Sequence, residues 1–541
     1  MNNEQLPDWQ SLSLKQQIGQ TIVVRASGFL FDHQIRYPAW EASNSQLKHW
    51  LEELNLGGVI LLGGSSVELQ ARSRQLQSWT KIPLLVAADI EEGVGQRFPG
   101  ATWFPPPMAL GAIAARVLNL AKKYARQMGA ITAQEALVVG LNWLLAPVVD
   151  VNNNPDNPVI NIRAFGDRPE LVSHLAAAFI EGAKSYPILT TAKHFPGHGD
   201  TATDSHLDLP ALPHDATRLA EIELPPFRDA IAGGVDSVMT AHLLIPTWDK
   251  QHPATLSPTI LKDKLRKQLG FNGLIVTDAL IMGGITKYAT PEEVAVMAIE
   301  AGNDILLMPD NPEIAIASIY NAVKSGRISE ARIQASVKRI WEAKARVINN
   351  GRSLNIDNLS TVSALHTVTS ILQDSLQTGG NLPLQPQTDR EGRNLIVVDD
   401  LLNASVLDIH TPAVTLPQQF NYQRQIVDRN TLDCILKDSR PTLLQVFIRG
   451  NPFRGTAGLT LQAKTIYQQL LTTGKVEGLI IYGSPYVLDW FTSQLTTDLP
   501  WIFTYGQMNQ AQALALNTLF SGSGDRHLAP KKEGYALDFG F

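Results

Sequence analysis

The run Ile188-Leu189-Thr190-Thr191-Ala192 passes directly into Lys193-His194-Phe195-Pro196-Gly197-His198-Gly199-Asp200 and then Thr201-Ala202-Thr203-Asp204-Ser205-His206-Leu207-Asp208. Its first five residues are apolar or β-branched, the pattern of a short strand buried on both faces. The next sixteen residues hold three of the chain's twelve histidines and three aspartates. Pro196, Gly197 and Gly199 rule out a regular helix, so an ordered loop is expected at the C-terminal end of a strand. Titratable groups gathered on such a loop mark a place for acid–base chemistry.

Seven further runs of the same kind lie on either side, at 21–24, 57–62, 82–89, 141–150, 237–242, 273–278 and 304–309. Helical patterns occupy 66–79, 171–183, 217–232, 256–268 and 292–301 between them, and a last one runs from 329 to 347. Eight strands alternating with helices over roughly 330 residues predict an α/β fold of the (β/α)8 TIM-barrel type, with a doubly wound open sheet as the alternative. The placement of polar residues favours closure. Asp89, Asp150, Lys193, His194, His242 and Asp278 fall at or just past the ends of their strands, and a barrel brings those ends to one face.

At 541 residues the chain exceeds one ordinary domain. The barrel is assigned to 1–350, with Asn349-Asn350-Gly351-Arg352-Ser353 as helix stop and linker start. Residues 351–393 read as a linker with a short helix near 360–377. Residues 394–541 read as a smaller α/β sandwich with strands at 394–398, 443–448, 478–482 and 501–505 and helices at 459–471 and 510–519. That second part has no phosphate loop and no titratable cluster, so no chemistry is assigned to it. A net charge of -6 without a basic stripe argues against nucleic acid as a partner. The single cysteine, Cys434, excludes an intrachain disulfide and any cysteine metal cage. The first residues lack the features of a signal peptide, and no run reaches the roughly 18 apolar residues of a membrane span. A cytoplasmic location is expected.

Three kinds of chemistry fit the histidine loop. His194, His198, His206 and the neighbouring aspartates could ligate a metal, although Pro196, Gly197 and Gly199 break the helix that aligns ligands in the familiar zinc motif. Ser205 sits between Asp204 and His206 as a nucleophile would, but no elbow pattern surrounds it. In the third reading Asp204 and His206, two apart, face the same way in an extended segment. The carboxylate then fixes one ring nitrogen and the other delivers and recovers a proton. Such a dyad needs a separate group to attack the substrate, and Asp278 at the end of the seventh strand suits that task, its plain alternative being a helix N-cap. Asp89, Arg97 and Arg163 are candidate grips for hydroxyls or carboxylates, with structural ion pairs as the alternative.

The loop motif Lys193-His194-Phe195-Pro196-Gly197-His198-Gly199, with Asp204-Ser205-His206 after it, resembles the signature of bacterial β-N-acetylglucosaminidases of glycoside hydrolase family 3, in their two-domain, peptidoglycan-recycling form. The resemblance extends through Asn157-Pro158-Val159-Ile160, Arg163, Phe165-Gly166, Val238-Met239-Thr240-Ala241-His242 and Ile275-Val276-Thr277-Asp278-Ala279-Leu280, covering most of residues 10–350. It implies a retaining exo-hydrolase with Asp278 as nucleophile and His206, paired to Asp204, as acid/base. It also implies that Asp89, Arg97, Arg163, Lys193 and His194 bind the terminal GlcNAc and that Met282 lines its pocket. The implied substrates are muropeptide or GlcNAc–anhydroMurNAc fragments, with no cofactor and no metal. A phosphorylase using the same residues, a metal-dependent hydrolase and a non-catalytic glycan-binding protein are the alternatives. Three departures stand out: Glu92 replaces the first of two usual glycines, Ile90 and Val94 replace polar residues, and Asn161 replaces a glycine before Arg163.

Overall fold

The first unit is built on eight short strands: β1 (Ile22–Ser27), β2 (Gly58–Leu62), β3 (Leu85–Ala88), β4 (Trp143–Leu144), β5 (Thr191–Phe195), β6 (Ser237–Thr240), β7 (Leu274–Thr277) and β8 (Leu306–Leu307). The computed structural model describes residues 6–348, 355–386, 390–450 and 458–522. Every pairing among these strands is parallel, in two ladders ordered β4-β3-β2-β1-β8 and β5-β6-β7. Single parallel bridges seal both seams. Trp143 faces Leu189 and Val148 faces Lys193 between β4 and β5, while Val276 faces Ile305 between β7 and β8. An open sheet has two free edges; here each strand has neighbours on both sides, which makes the unit a closed (β/α)8 barrel.

The strands form because their β-branched and apolar residues are buried on both faces, Val23, Val59, Val86, Val238 and Ile275 being fully inaccessible. Each such side chain contributes about 1.5–3 kcal/mol relative to exposure. The buried indole N–H of Trp143 is satisfied: it lies 2.9 Å from Thr191 Oγ1 and 3.0 Å from Ser237 Oγ, linking β4, β5 and β6. The helix Pro291–Ala301 shows both end signals, Thr290 capping its start and Gly302 (φ 125°) ending it.

Three local readings change. β5 starts at Thr191, so Lys193, His194 and Phe195 belong to the strand and not to the loop after it. Residues 256–268 divide into a 3-10 turn, Ala254–Leu256, and a π-helical stretch, Thr259–Gln268. The longest helix among the described residues, Leu118–Val138, has no counterpart in the elements expected from sequence. Gly129 interrupts its pattern, yet it is there for packing. A Cβ at Gly129 would strike the Phe179 carbonyl, and one at Gly182 the Arg126 carbonyl, so the two glycines let this helix and Pro169–Ala183 lie backbone to backbone.

The first unit runs to Ile371 and the second begins at Leu372, within the helix Val362–Ser375. The expected helix stop at 349–353 lies outside the described residues. The second unit is one six-stranded sheet in the order β11-β10-β12-β13-β14-β9. It comprises β9 (Gln377–Gly379), β10 (Gly392–Val397), β11 (Tyr422–Val427), β12 (Thr442–Ile448), β13 (Val476–Gly483) and β14 (Trp501–Thr504), parallel except for β9 against β14. Two of these strands correct the expectation. β9 falls in the supposed linker, and β11 escapes notice because its Gln423-Arg424-Gln425 centre carries no apolar signal; both are edge strands, where polar residues are tolerated. Ile396, Leu443, Ile480 and Ile502 pack with Ala515, Leu516 and Leu519 of the helix Asn509–Ser521 to form this unit's core.

One buried charge in the barrel unit sets a pH dependence. Lys344, on the helix Glu330–Ile348, is inaccessible, donates to Gln20 Oε1 at 2.7 Å, and is pushed down to about 7 by burial. The unfolded chain therefore holds one more proton than the folded chain from about pH 7 to about pH 10.4, so stability rises with pH across that window and the penalty is full below it. Replacing the amine by a thioether, Lys344→Met, is expected to stabilise the protein near pH 6 by a few kcal/mol, at about 1.4 kcal/mol per pKa unit, and to remove the slope. Denaturant titrations at about pH 6 and about pH 9 check both.

Candidate active site

The loops after β3 and β4 and the end of β5 meet at the barrel mouth around a buried lysine. The ammonium of Lys193, only 1% exposed, lies 2.7 Å from Asp89 Oδ1 and 2.6 Å from Glu91 Oε1. Glu91 also accepts two hydrogen bonds from the Arg163 guanidinium, Nε to Oε2 at 2.9 Å and NH2 to Oε1 at 2.8 Å. Burial pushes the Glu91 carboxyl up, but Arg163 and Lys193 outweigh it and hold it well below the ordinary range. Burial likewise pulls Lys193 down, and Asp89 and Glu91 more than compensate, raising it. Glu91 and Lys193 are thus both charged at neutral pH. Arg97 stands at the exposed rim, its Nε–H donating to the Asp89 carbonyl at 3.1 Å.

A second buried carboxylate, Asp150, organises the histidines. Its Oδ2 accepts from His194 Nδ1–H at 2.7 Å, and its Oδ1 accepts from the backbone N–H groups of His194 at 3.1 Å and His198 at 2.7 Å. Burial opposes its ionisation, and the nearby His194 and His198 with these hydrogen bonds bring it below the usual value. With Nδ1 committed, His194 turns Nε2 toward Arg163, whose NH2 is 3.5 Å away. Asn157 ties the next loop in: its Nδ2 donates to the His198 and Gly199 carbonyls at 2.8 and 2.9 Å. Gly199 is needed there, because a Cβ would run into the Val151 carbonyl.

The Asp204–His206 pair is held by a tight turn. Asp204 Oδ1 accepts from both the backbone N–H and the ring Nδ1–H of His206, each at 2.9 Å, while Leu207 N–H returns to the Asp204 carbonyl at 3.0 Å. The expected pairing is present, but through an Asx turn and not through an extended segment. His198 braces the turn from beneath, its ring nitrogens 2.7 Å from Thr201 Oγ1 and 2.9 Å from Ser205 Oγ. Burial drives its pKa down to about 4, so it stays neutral near pH 7.

The turn is fastened to the loop that carries Asp278. The backbone N–H groups of Gly283 and Gly284 donate to the carbonyls of His206 and Ser205, both at 3.0 Å. Burial pushes the Asp278 carboxyl up, and the neighbouring imidazoles of His194 and His206 with the N–H of Ala279 overcome it, leaving the group below its ordinary value and ionised. Asp278 is no helix cap: the next helix, Gly283–Thr286, starts at Met282, which is buried at this junction. His242 is kept neutral by burial and spans Thr255 Oγ1 (2.8 Å) and the Ala279 carbonyl (3.0 Å), steadying the residue next to Asp278.

The fold therefore gathers Asp89, Arg97, Arg163, Lys193, His194, Asp204, His206, Asp278 and Met282 around the ends of β3, β4, β5 and β7. Each histidine of the loop is committed to a carboxylate or hydroxyl, as an acid/base arrangement requires. Sequence reasoning assigns no role to Glu91 or Asn157, and it places Asp150 and His242 at the strand ends of the site without giving either a task. Asp150 and His242 carry a signal, a polar residue at a strand end; Asn157 stands in a motif of the resemblance without a stated task, and Glu91 carries no signal until its partners are placed. The departures also find reasons. Asn161 has φ 45°, a left-handed conformation that asparagine tolerates and glycine fits. Ile90 and Val94 are fully buried, and the left-handed position in their loop falls to Gly93 (φ 87°), leaving Glu92 to accept from Trp103 Nε1 at 2.9 Å. Removing one charge from the mouth is the direct test of its balance. Glu91→Gln is expected to cost about 3 kcal/mol of stability, because it leaves Lys193 and Arg163 facing each other with only Asp89 between them; a denaturant titration near pH 7 measures it.

Residues 13–343 match the N-terminal domain of glycosyl hydrolase family 3, and residues 385–521 match the bacterial C-terminal domain of the same family. A β-hexosaminidase A from Pseudoalteromonas piscicida is 32% identical over 381 residues, 63% of this chain and 62% of that protein, so the match spans less than two thirds of the relative. A β-hexosaminidase from Nitrosomonas eutropha is 34% identical over 307 residues, 55% of this chain and 86% of its own length. Among solved structures, a glycoside hydrolase family 3 β-N-acetylglucosaminidase from Paenibacillus superposes with a TM-score of 0.79 at 28% identity, over 94% of this chain and 97% of that one. Closed barrel, six-stranded second sheet and sequence matches agree: the chain belongs to glycosyl hydrolase family 3 and carries both its N-terminal and its bacterial C-terminal domain.

Proposed function

We propose that this chain is a retaining exo-β-N-acetylhexosaminidase that releases terminal GlcNAc from β-1,4-linked muropeptide or GlcNAc–anhydroMurNAc fragments. The observation that carries the reading is an ionised, partly buried carboxylate, Asp278, on a loop hydrogen-bonded to the turn that holds the Asp204–His206 pair. The relatives named β-hexosaminidase and β-N-acetylglucosaminidase support the sugar class.

In the first step Asp278 attacks the anomeric carbon. The bond to the leaving oxygen breaks, and protonated His206 gives that oxygen the proton from Nε2. Its Nδ1–H stays on Asp204 throughout, which fixes the tautomer and stabilises the imidazolium. In the second step neutral His206 takes a proton from water, the water oxygen bonds to the anomeric carbon, and the ester to Asp278 breaks with overall retention. Lys193, Asp89, Arg163, His194 and the rim residue Arg97 hold the sugar hydroxyls, a task suited to charged groups whose directions are already fixed. Met282 supplies apolar surface to the same sugar.

Three measurements decide the matter. Asp278→Ala is expected to lower kcat/KM on aryl β-GlcNAc by at least about 10³-fold; near-normal turnover would remove it as nucleophile. His206→Ala is expected to cost about 10²-fold or more on substrates with poor leaving groups and far less on 2,4-dinitrophenyl GlcNAc. Incubation of GlcNAc–anhydroMurNAc with and without phosphate should give free GlcNAc at equal rates, whereas GlcNAc 1-phosphate as the product would make the enzyme a phosphorylase.

A further inference from the structure

Outside the residues that face the sugar, the histidine loop has a second attachment. Asp200 stands four residues before Asp204, and its Oδ2 accepts from His214 Nε2–H at 2.8 Å and from Arg218 NH2 at 3.1 Å. The same Arg218 nitrogen reaches Glu223 Oε1 at 3.3 Å. Glu223 is in turn packed against the start of the loop. At Gly197 (φ 131°) a Cβ would sit 2.9 Å from both Cβ and Cγ of Glu223, so only glycine admits that contact. The local helix is shaped for this purpose. Ala216–Arg218 opens with Asp215 as its cap, widens into a π-helical turn over Leu219–Glu223, and returns to α-helix over Leu224–Ala232. A π-turn inserts one residue, and such insertions commonly serve a functional placement; here it falls between Arg218 and Glu223, the two groups that hold the loop.

We propose that Asp200, clamped by His214 and Arg218, is a positioning residue for general acid catalysis: it sets the height of the Asp204–His206 turn over the bond to be cleaved. The chain of contacts is continuous. Asp200 is fixed from the segment and helix that precede β6; Thr201, its neighbour, is bonded to His198; His198 is bonded to Ser205; and Ser205 and His206 are bonded through their carbonyls to Gly284 and Gly283. The Gly283–Gly284 bonds fasten the far side of the turn and the Asp200 clamp fastens the near side. With one side released, the imidazole remains paired to Asp204 but loses its aim at the leaving oxygen. Asp200 itself donates nothing to the reaction.

The inference rests on the reading of His206 as the acid, and the test separates the two. Log kcat/KM is measured for wild type, His206→Ala, Asp200→Asn, His214→Ala and His214→Gln on a series of aryl β-GlcNAc substrates running from 2,4-dinitrophenyl to phenyl. Proton donation matters little for the first and most for the last. Asp200→Asn and His214→Ala are expected to fall about tenfold on phenyl GlcNAc and by less than about threefold on the dinitrophenyl substrate, a weaker form of the His206→Ala profile. His214→Gln keeps an N–H donor and should retain the wild-type slope. Arg218→Lys keeps the charge and gives a second handle if Asp200→Asn folds poorly. A uniform loss across the series, or none, while His206→Ala steepens it, overturns the positioning role. A His206→Ala slope no steeper than wild type overturns the acid assignment and the clamp's purpose with it.

Discussion

The catalytic reading depends on two backbone hydrogen bonds, from Gly283 and Gly284 to the carbonyls of His206 and Ser205. They join loops that leave different strands, β5 and β7, and they put the imidazole of one beside the carboxylate of the other. Side chains at 283 or 284 would prevent it, since a Cβ at either position would come within 2.7 or 2.8 Å of a facing carbonyl oxygen. Parallel strand order is the precondition: β5 and β7 flank β6, and only because the strand ends point the same way do their loops meet.

The second constraint is charge compensation. Among the carboxylates buried at the mouth are Glu91 and Asp150, with Lys193 and Arg163 against the first and His194 against the second. Burial alone would neutralise these carboxylates; each instead stays charged because its partner is within 3 Å and correctly directed. The result is a rigid, polar socket. Its directions are set before a sugar arrives, which is what selective recognition of hydroxyl groups requires. By contrast His198 and His242 are kept neutral by the same burial, and they work as braces, not as proton carriers.

These two arrangements divide the labour between titratable groups whose surroundings push them apart. Asp278 is kept ionised by the neighbouring imidazoles of His194 and His206, and His206 is tied at Nδ1, which leaves Nε2 as the nitrogen that the proposed mechanism uses for proton exchange. In the proposed mechanism a histidine, with Asp204 behind it, takes the place of the second carboxylate used by most glycosidases.

Much of this is legible in the chain itself. The eight apolar runs and the polar residues at their ends specify a barrel with its site on one face, because strand burial and strand direction are local consequences of sequence. The motif from Lys193 to His206 likewise contains the Asp204–His206 pairing, although that pairing is made by an Asx turn. The contacts made at long range are what a linear reading cannot disclose. Glu91 looks like any surface glutamate until Lys193, 102 positions later, is brought against it. Asn157 gains its role only from carbonyls on another loop. β9 and β11 are hidden for the complementary reason: edge strands carry little apolar signal, and it is pairing with an already formed sheet that makes them strands. The chain by itself determined the kinds of groups and their order; closure of the barrel decided which of them meet, since burial and pairing energies depend on neighbours that the linear chain does not contain.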